Sequence, residues 1–243
     1  MPSLFKKIPQ SPSEANVQEK KFLLVPRSQR REFFLLFTFM TALGWIGGGI
    51  ASLALEKILR ENIPAYFADN EVLWYRIAKL IATSLFALIF AADQSIPLSK
   101  YISGWSWMFA TTIGWLVADT VSTAWIAYIS SIAASSNQIS SQALIFFGIL
   151  STAAYIFSWI WLGLLQWLVL RKYVKSGWWW NFVPSISYLF ISISMLLVSL
   201  LQNLIPAVHR DITLYLVKQG LTALILAAIP AISFCRLRKN SYQ

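Results

Sequence analysis

The sequence predicts an all-α integral membrane protein with about six transmembrane helices, arranged as three parallel helical hairpins with both termini in the cytoplasm. Three observations predict it. Hydrophobic residues make up 57% of the chain and charged residues only 12%, against about 25% charged in a soluble domain, and the apolar residues are gathered into blocks. The basic residues fall mainly on one set of loops. Part of the chain also repeats itself.

Because a hydrocarbon core of about 30 Å needs about 20 largely apolar residues per helix, spans are placed at about 33 to 55, 76 to 97, 105 to 130, 143 to 170, 178 to 204 and 212 to 235. Residues 1 to 32 precede them as a flexible cytoplasmic tail. It mixes Pro2, Pro9, Pro12 and Pro26 with Lys6, Lys7, Lys20, Lys21, Arg27, Arg30 and Arg31, and its basic end serves orientation or lies on anionic headgroups. Residues 236 to 243 form a second basic tail.

The first span contains Gly44, Gly48 and Ser52 at intervals of four. Small residues so spaced form a flat stripe against which another helix packs closely. A phosphate-cradling loop would need a preceding strand and usually a lysine, and Gly47 to Gly49 lie inside an apolar helix. The second span is the least regular, since Arg76, Lys79, Asp93 and Gln94 leave only Leu80 to Ala92 uninterrupted.

Asp119 stands near the middle of the third span, with Trp115, Ser122 and Thr123 on its side of the helix. Ionisable residues in a span face protein or water and mark function or a structural pair. Candidate partners are Lys79 and Lys218. One alternative is a buried ion pair fixing helix register; the other is a proton or ion relay or a substrate contact.

At the end of the fourth span the chain echoes an earlier stretch. Gln94, Leu98, Lys100, Tyr101 and Trp107 recur 72 residues later as Gln166, Leu170, Lys172, Tyr173 and Trp179, more than the roughly one match such a composition gives by chance. Thr41-Ala42-Leu43-Gly44-Trp45 similarly resembles Thr111-Thr112-Ile113-Gly114-Trp115, 70 residues on, with Pro184 to Tyr188 as a degraded third copy. The period therefore covers two helices. At the membrane surface, Arg171 and Lys172 can snorkel to the headgroups, and Trp105, Trp107, Trp178, Trp179 and Trp180 are expected as interfacial anchors. The other reading of the three consecutive tryptophans is a stacking surface for a lipid, pigment or quinone.

Gln166-Trp167 followed by Leu170-Arg171, with Gly163 before it and a Trp-led helix after it, resembles a motif of uncharacterised polytopic membrane proteins of cyanobacteria and other bacteria. Their copies alternate with Leu-Gly-Trp segments like Leu43 to Trp45. The resemblance covers roughly residues 33 to 190 and implies a bacterial inner or thylakoid membrane. It implies no activity.

In the last two spans, Pro184, Gly220 and Pro230 are helix-softening residues whose freed carbonyls could coordinate a solute, and Asp211 is the expected N-cap of the sixth helix. His209 is the only histidine and Cys235 the only cysteine, which excludes a His/Cys metal cluster and an internal disulfide.

With both termini inside, fourteen of the twenty Lys and Arg residues fall on the cytoplasmic side, as orientation requires. The expected function is a noncatalytic component of a membrane complex, partnered by the bilayer and by itself or other membrane proteins, with no nucleic acid. The alternative is a small-solute or ion transporter or channel using Asp119. No paired catalytic residues support an enzyme, and no cofactor is specified.

Overall fold

The computed structural model describes residues 23–67, 70–135, 140–204, 206 and 209–240. Six helical stretches among them are long and apolar enough to cross a membrane, as expected of an integral membrane protein. They comprise α1 (Arg30–Glu61), α2 (Glu71–Leu98), α3 (Gly104–Ser135), α4 (Ser141–Ser158) continued by α5 (Ile160–Leu170), α6 (Val183–Leu201) and α7 (Arg210–Phe234).

Local chemistry starts several of these helices. Asn70 caps α2 by accepting a hydrogen bond from the Leu73 N–H at 3.1 Å, and Ser140 caps α4 by accepting one from Ala143 at 3.2 Å, each satisfying an orphan donor of the first turn. The sixth helix starts otherwise than expected. His209 occupies its N-cap without a side-chain bond, and Asp211 lies inside the first turn. Pro184 is no softener, because a 3-10 turn (Trp178–Phe182) leads into α6 and places this proline in the first helical turn, where a missing N–H costs nothing.

The fourth span is broken where no proline or glycine stands. The Trp159 N–H bonds the Ile156 carbonyl at 3.3 Å, a tightened turn in place of the α-helical spacing. Ser158 donates back to the Ala154 carbonyl at 2.7 Å, a side-chain bond that bends helices. Trp159, at this break, is buried against Trp115 and Tyr188, and α5 resumes the span at Ile160.

Each span packs on its neighbours in sequence, and α7 packs on α1, so the spans close into a ring in chain order. A short ribbon ties the ring at one end. Strand β1 (Val174–Lys175) pairs antiparallel with β2 (Arg238–Lys239), Leu23 bridges to Arg238, and the Leu24 N–H donates to the Leu237 carbonyl at 2.9 Å. The expected tails are therefore partly structural. Leu24, Val25 and Leu237 are buried and Arg30 already begins α1, whereas residues 1–22 lie outside the described residues.

Inside the ring the core has two levels. Next to the ribbon, Phe37, Trp107, Trp180 and Phe234 converge with ring centroids 4.4 to 5.9 Å apart, joined by Leu98, Leu170 and Val174. Farther along, Phe90, Trp115, Trp159, Leu162, Tyr188 and Leu226 fill the lumen. The tryptophan expectation divides accordingly. Trp105 and Trp178 are exposed and Trp179 is half-buried, but Trp107 and Trp180, expected as interfacial anchors, are each 1% exposed and belong to the protein core.

Candidate functional site

Asp119 is half-buried on α3, one turn beyond Trp115. Beneath it lies an aromatic floor contributed by most of the ring. Trp115 meets Trp159 at 4.7 Å between centroids, Phe86 at 5.1 Å and Trp45 at 6.2 Å. Tyr188 stacks on Trp159 at 3.9 Å with planes 10° apart, and Tyr155 meets Tyr188 edge-on at 5.4 Å. Such offset and edge contacts favour the ring quadrupoles and add rigidity beyond burial alone.

Several polar groups border this floor. The Trp45 indole N–H donates to Gln219 Oε1 at 2.9 Å, joining α1 to α7, and Ser122 Oγ donates to the Asp119 backbone carbonyl at 2.9 Å. The Asp119 carboxylate lies within electrostatic reach of the Tyr155 and Tyr188 hydroxyls and of Lys79.

The proposed partners of Asp119 separate. Among the described residues neither Lys79 nor Lys218 forms an ion pair with it; Lys79 is exposed on the neighbouring α2. Lys218 is on α7, which the ring order packs against α1 and α6 rather than α3. Its neighbour Gln219 faces the interior instead, and a rotation of one residue on a helix accounts for the difference.

A second polar set is fully enclosed. Gln166, 5% exposed, donates through Nε2 to Thr111 Oγ1 at 3.1 Å and accepts from the Trp180 indole N–H at 3.0 Å. Three spans are joined through one amide. The same residue types occur earlier in the chain as Thr41, Gln94 and Trp107, all buried, but their Oγ1, Oε1 and Nε1 atoms have no hydrogen-bond partner among the described residues.

The small-residue stripe faces α2. A Cβ on Gly44 would lie 3.0 Å from Asp93 Cβ and 3.1 Å from the Phe90 Cα, and one on Gly48 would lie 3.2 Å from the Phe86 ring, whereas Gly47 and Gly49 face open space. Ser52 is half-buried farther along the same helix. Arg171 and Lys172 are exposed, and the Arg171 guanidinium sits over the Trp167 ring at 5.7 Å.

Sequence reasoning missed Thr111, Tyr155, Tyr188 and Gln219 as members of these polar sets. For Gln219 the available signal was a neutral amide within an apolar span, overshadowed by adjacent Lys218. Comparison with known proteins gives no matching family model, no matching curated protein and no matching solved structure.

Proposed function

We propose that this chain is a noncatalytic multi-spanning membrane protein, a structural, assembly or accessory component of a membrane complex. The observation that carries this reading is the position of α4. It is an apolar helix covered on few sides by its own chain and flanked by two apolar grooves. One, of about 530 Å³, runs between α4 and α6 past Gly148 and Ser192. The other, of about 450 Å³, runs between α3 and α4 past Trp125 and Phe157. Helices associate in lipid by close packing on such surfaces, while the tightly filled lumen favours a static support.

The reading includes three hairpin repeats, α1 with α2, α3 with the broken α4–α5, and α6 with α7. Corresponding positions support it: Gly44 and Gly114 each receive a neighbouring helix, Gln94 and Gln166 are both buried, and Leu98, Leu170 and Phe234 end their hairpins with 0% exposure. Cytoplasmic termini and a bacterial inner or thylakoid membrane belong to the same proposal, supported by the basic asymmetry and the motif resemblance. A reporter on either terminus should be cytoplasmic, and one inserted between Asn137 and Ser141, at a site largely outside the described residues, should be external. An external carboxyl terminus would remove the six-span topology.

The test of assembly is photocrosslinking from Gly148 and Ile149 in native membranes, with mass spectrometry of the purified protein. Capture of a membrane protein or a second copy at both positions is expected. A monomer crosslinked only to lipid would end the assembly reading. The second reading, an ion or solute pathway, is favoured specifically by Asp119, an ionisable residue half-buried midway along an apolar span. It expects Asp119→Asn to remain folded and to lose any flux measured in liposomes, and an absence of flux in the unmodified protein would end it.

A further inference from the structure

We propose that the ribbon end of the ring is a binding surface for anionic phospholipid headgroups, built on the β1–β2 pair. Three observations lead there. First, Lys175 and Arg238 are directly opposite each other in the antiparallel register, and both are exposed, as is Lys239. Like charges directly across a strand pair repel, and among the described residues no carboxylate forms an ion pair with them. A bound anion placed between them reverses the sign of that interaction.

Second, the surrounding surface is predominantly basic. Arg31, Arg171 and Lys172 are exposed at the same end, and the nearby Glu32 is engaged by Lys100 at 3.8 Å. At the opposite end, acidic and basic residues alternate, with Glu56 and Glu61 bound to Arg60 and Lys57. Charge complementarity to an anion is thus concentrated at the ribbon.

Third, Trp105 and Trp178 are 71% and 60% exposed beside these cations. Amphipathic indoles settle at headgroup depth, so the cations lie in the plane where lipid phosphates are found rather than out in solution, where an acidic protein would be met. The predicted ligand is therefore an anionic phospholipid, and its binding would clamp the segment that joins the two ends of the chain.

The test compares the full chain in phosphatidylcholine vesicles with and without phosphatidylglycerol, reading thermal unfolding. The unmodified protein should melt higher with phosphatidylglycerol, and the increment should shrink as salt is added. Lys175→Gln with Arg238→Gln should lose most of the increment, yet melt above the unmodified protein in phosphatidylcholine alone, because the cross-strand repulsion is gone. Arg60→Gln with Arg76→Gln, at the opposite end, should keep the increment. No increment in the unmodified protein, an undiminished one in the ribbon variant, or equal loss in the control variant would overturn the proposal. So would stabilisation by soluble poly-glutamate but not by phosphatidylglycerol, which would assign the surface to an acidic protein.

Discussion

At the ribbon end, four large aromatic side chains from α1, α3, the turn before α6 and α7 meet at van der Waals distance, and chain segments from residues 23, 174 and 238 share backbone bonds. At the far end, the resolved ion pairs Lys57–Glu61 and Arg60–Glu56 join residues of one helix to each other, and Ile126, Tyr128 and Ile132 of α3 are exposed. The ribbon end therefore ties spans distant in sequence, whereas the far end ties residues of one helix or of two successive helices, as where the Trp74 indole N–H donates to the Leu59 carbonyl at 2.7 Å. Local opening free energy follows buried contacts, so the far end is the part of this bundle that can move without unfolding the rest.

The contrast can be broken from the ribbon side first. Gly163 on α5 is the tightest approach in the ring: an added Cβ would collide with the Asn181 backbone carbonyl, which cannot swing away as a side chain can. Gly163→Ala should therefore exceed the ~1–3 kcal/mol of ordinary overpacking and reduce accumulation in membranes sharply.

Next comes Gln166→Leu, which strands the Thr111 hydroxyl and the Trp180 indole N–H at about 1–3 kcal/mol for each buried group left unpaired. Combining it with Thr111→Val and Trp180→Phe should recover much of the loss in thermal unfolding. No recovery would mean that the amide acts by shape alone.

Gly44→Leu and Gly48→Leu should lower stability by about 1–3 kcal/mol through overpacking against α2, with Gly47→Leu and Gly49→Leu as silent controls because a Cβ added at either would meet no other part of the protein within 4 Å. Equal loss in all four variants, measured by detergent unfolding, would remove the packing role.

Asp119→Leu tests the level between the two ends, midway along α3. Lys79 is exposed and forms no ion pair with it, so the change should cost only the 0–1 kcal/mol of a solvated pair, and adding Lys79→Met should give no rescue. A loss of about 3–5 kcal/mol, repaired in that double variant, would restore the buried ion-pair reading.

The smallest effect concerns Cys235. Burial pushes its thiol up from the ordinary value, with Arg30 opposing, so the reactive thiolate is scarce at neutral pH. Maleimide labelling should be slower than for a free thiol and should rise with pH.

The spans were legible because apolar length has a direct physical meaning in a bilayer, and short loops between them force sequential neighbours to pack. The rotation of each helix was not. Lipid-facing and protein-facing surfaces are both apolar in a membrane, so hydrophobic periodicity could not tell Trp105 from Trp107 or Trp178 from Trp180. For the same reason Lys218 attracted attention and Gln219 did not. The bend at Trp159 was hidden too, since its neighbouring Ser158 is common in unbent helices. Small residues were more informative: Gly44 and Gly48 meet α2 because nothing larger fits.

The strand at Arg238–Lys239 has a consequence for biosynthesis. A chain made from its amino terminus exposes Leu23 to Val25 early, but their partners at Leu237 and Arg238 emerge only after all six spans have been made. Until then α1 lacks α7, and the aromatic cluster lacks Phe234. The growing protein must therefore wait in the membrane as an open arc, with its first helix available to other proteins, and a ribosome stalled before Phe234 would leave it so.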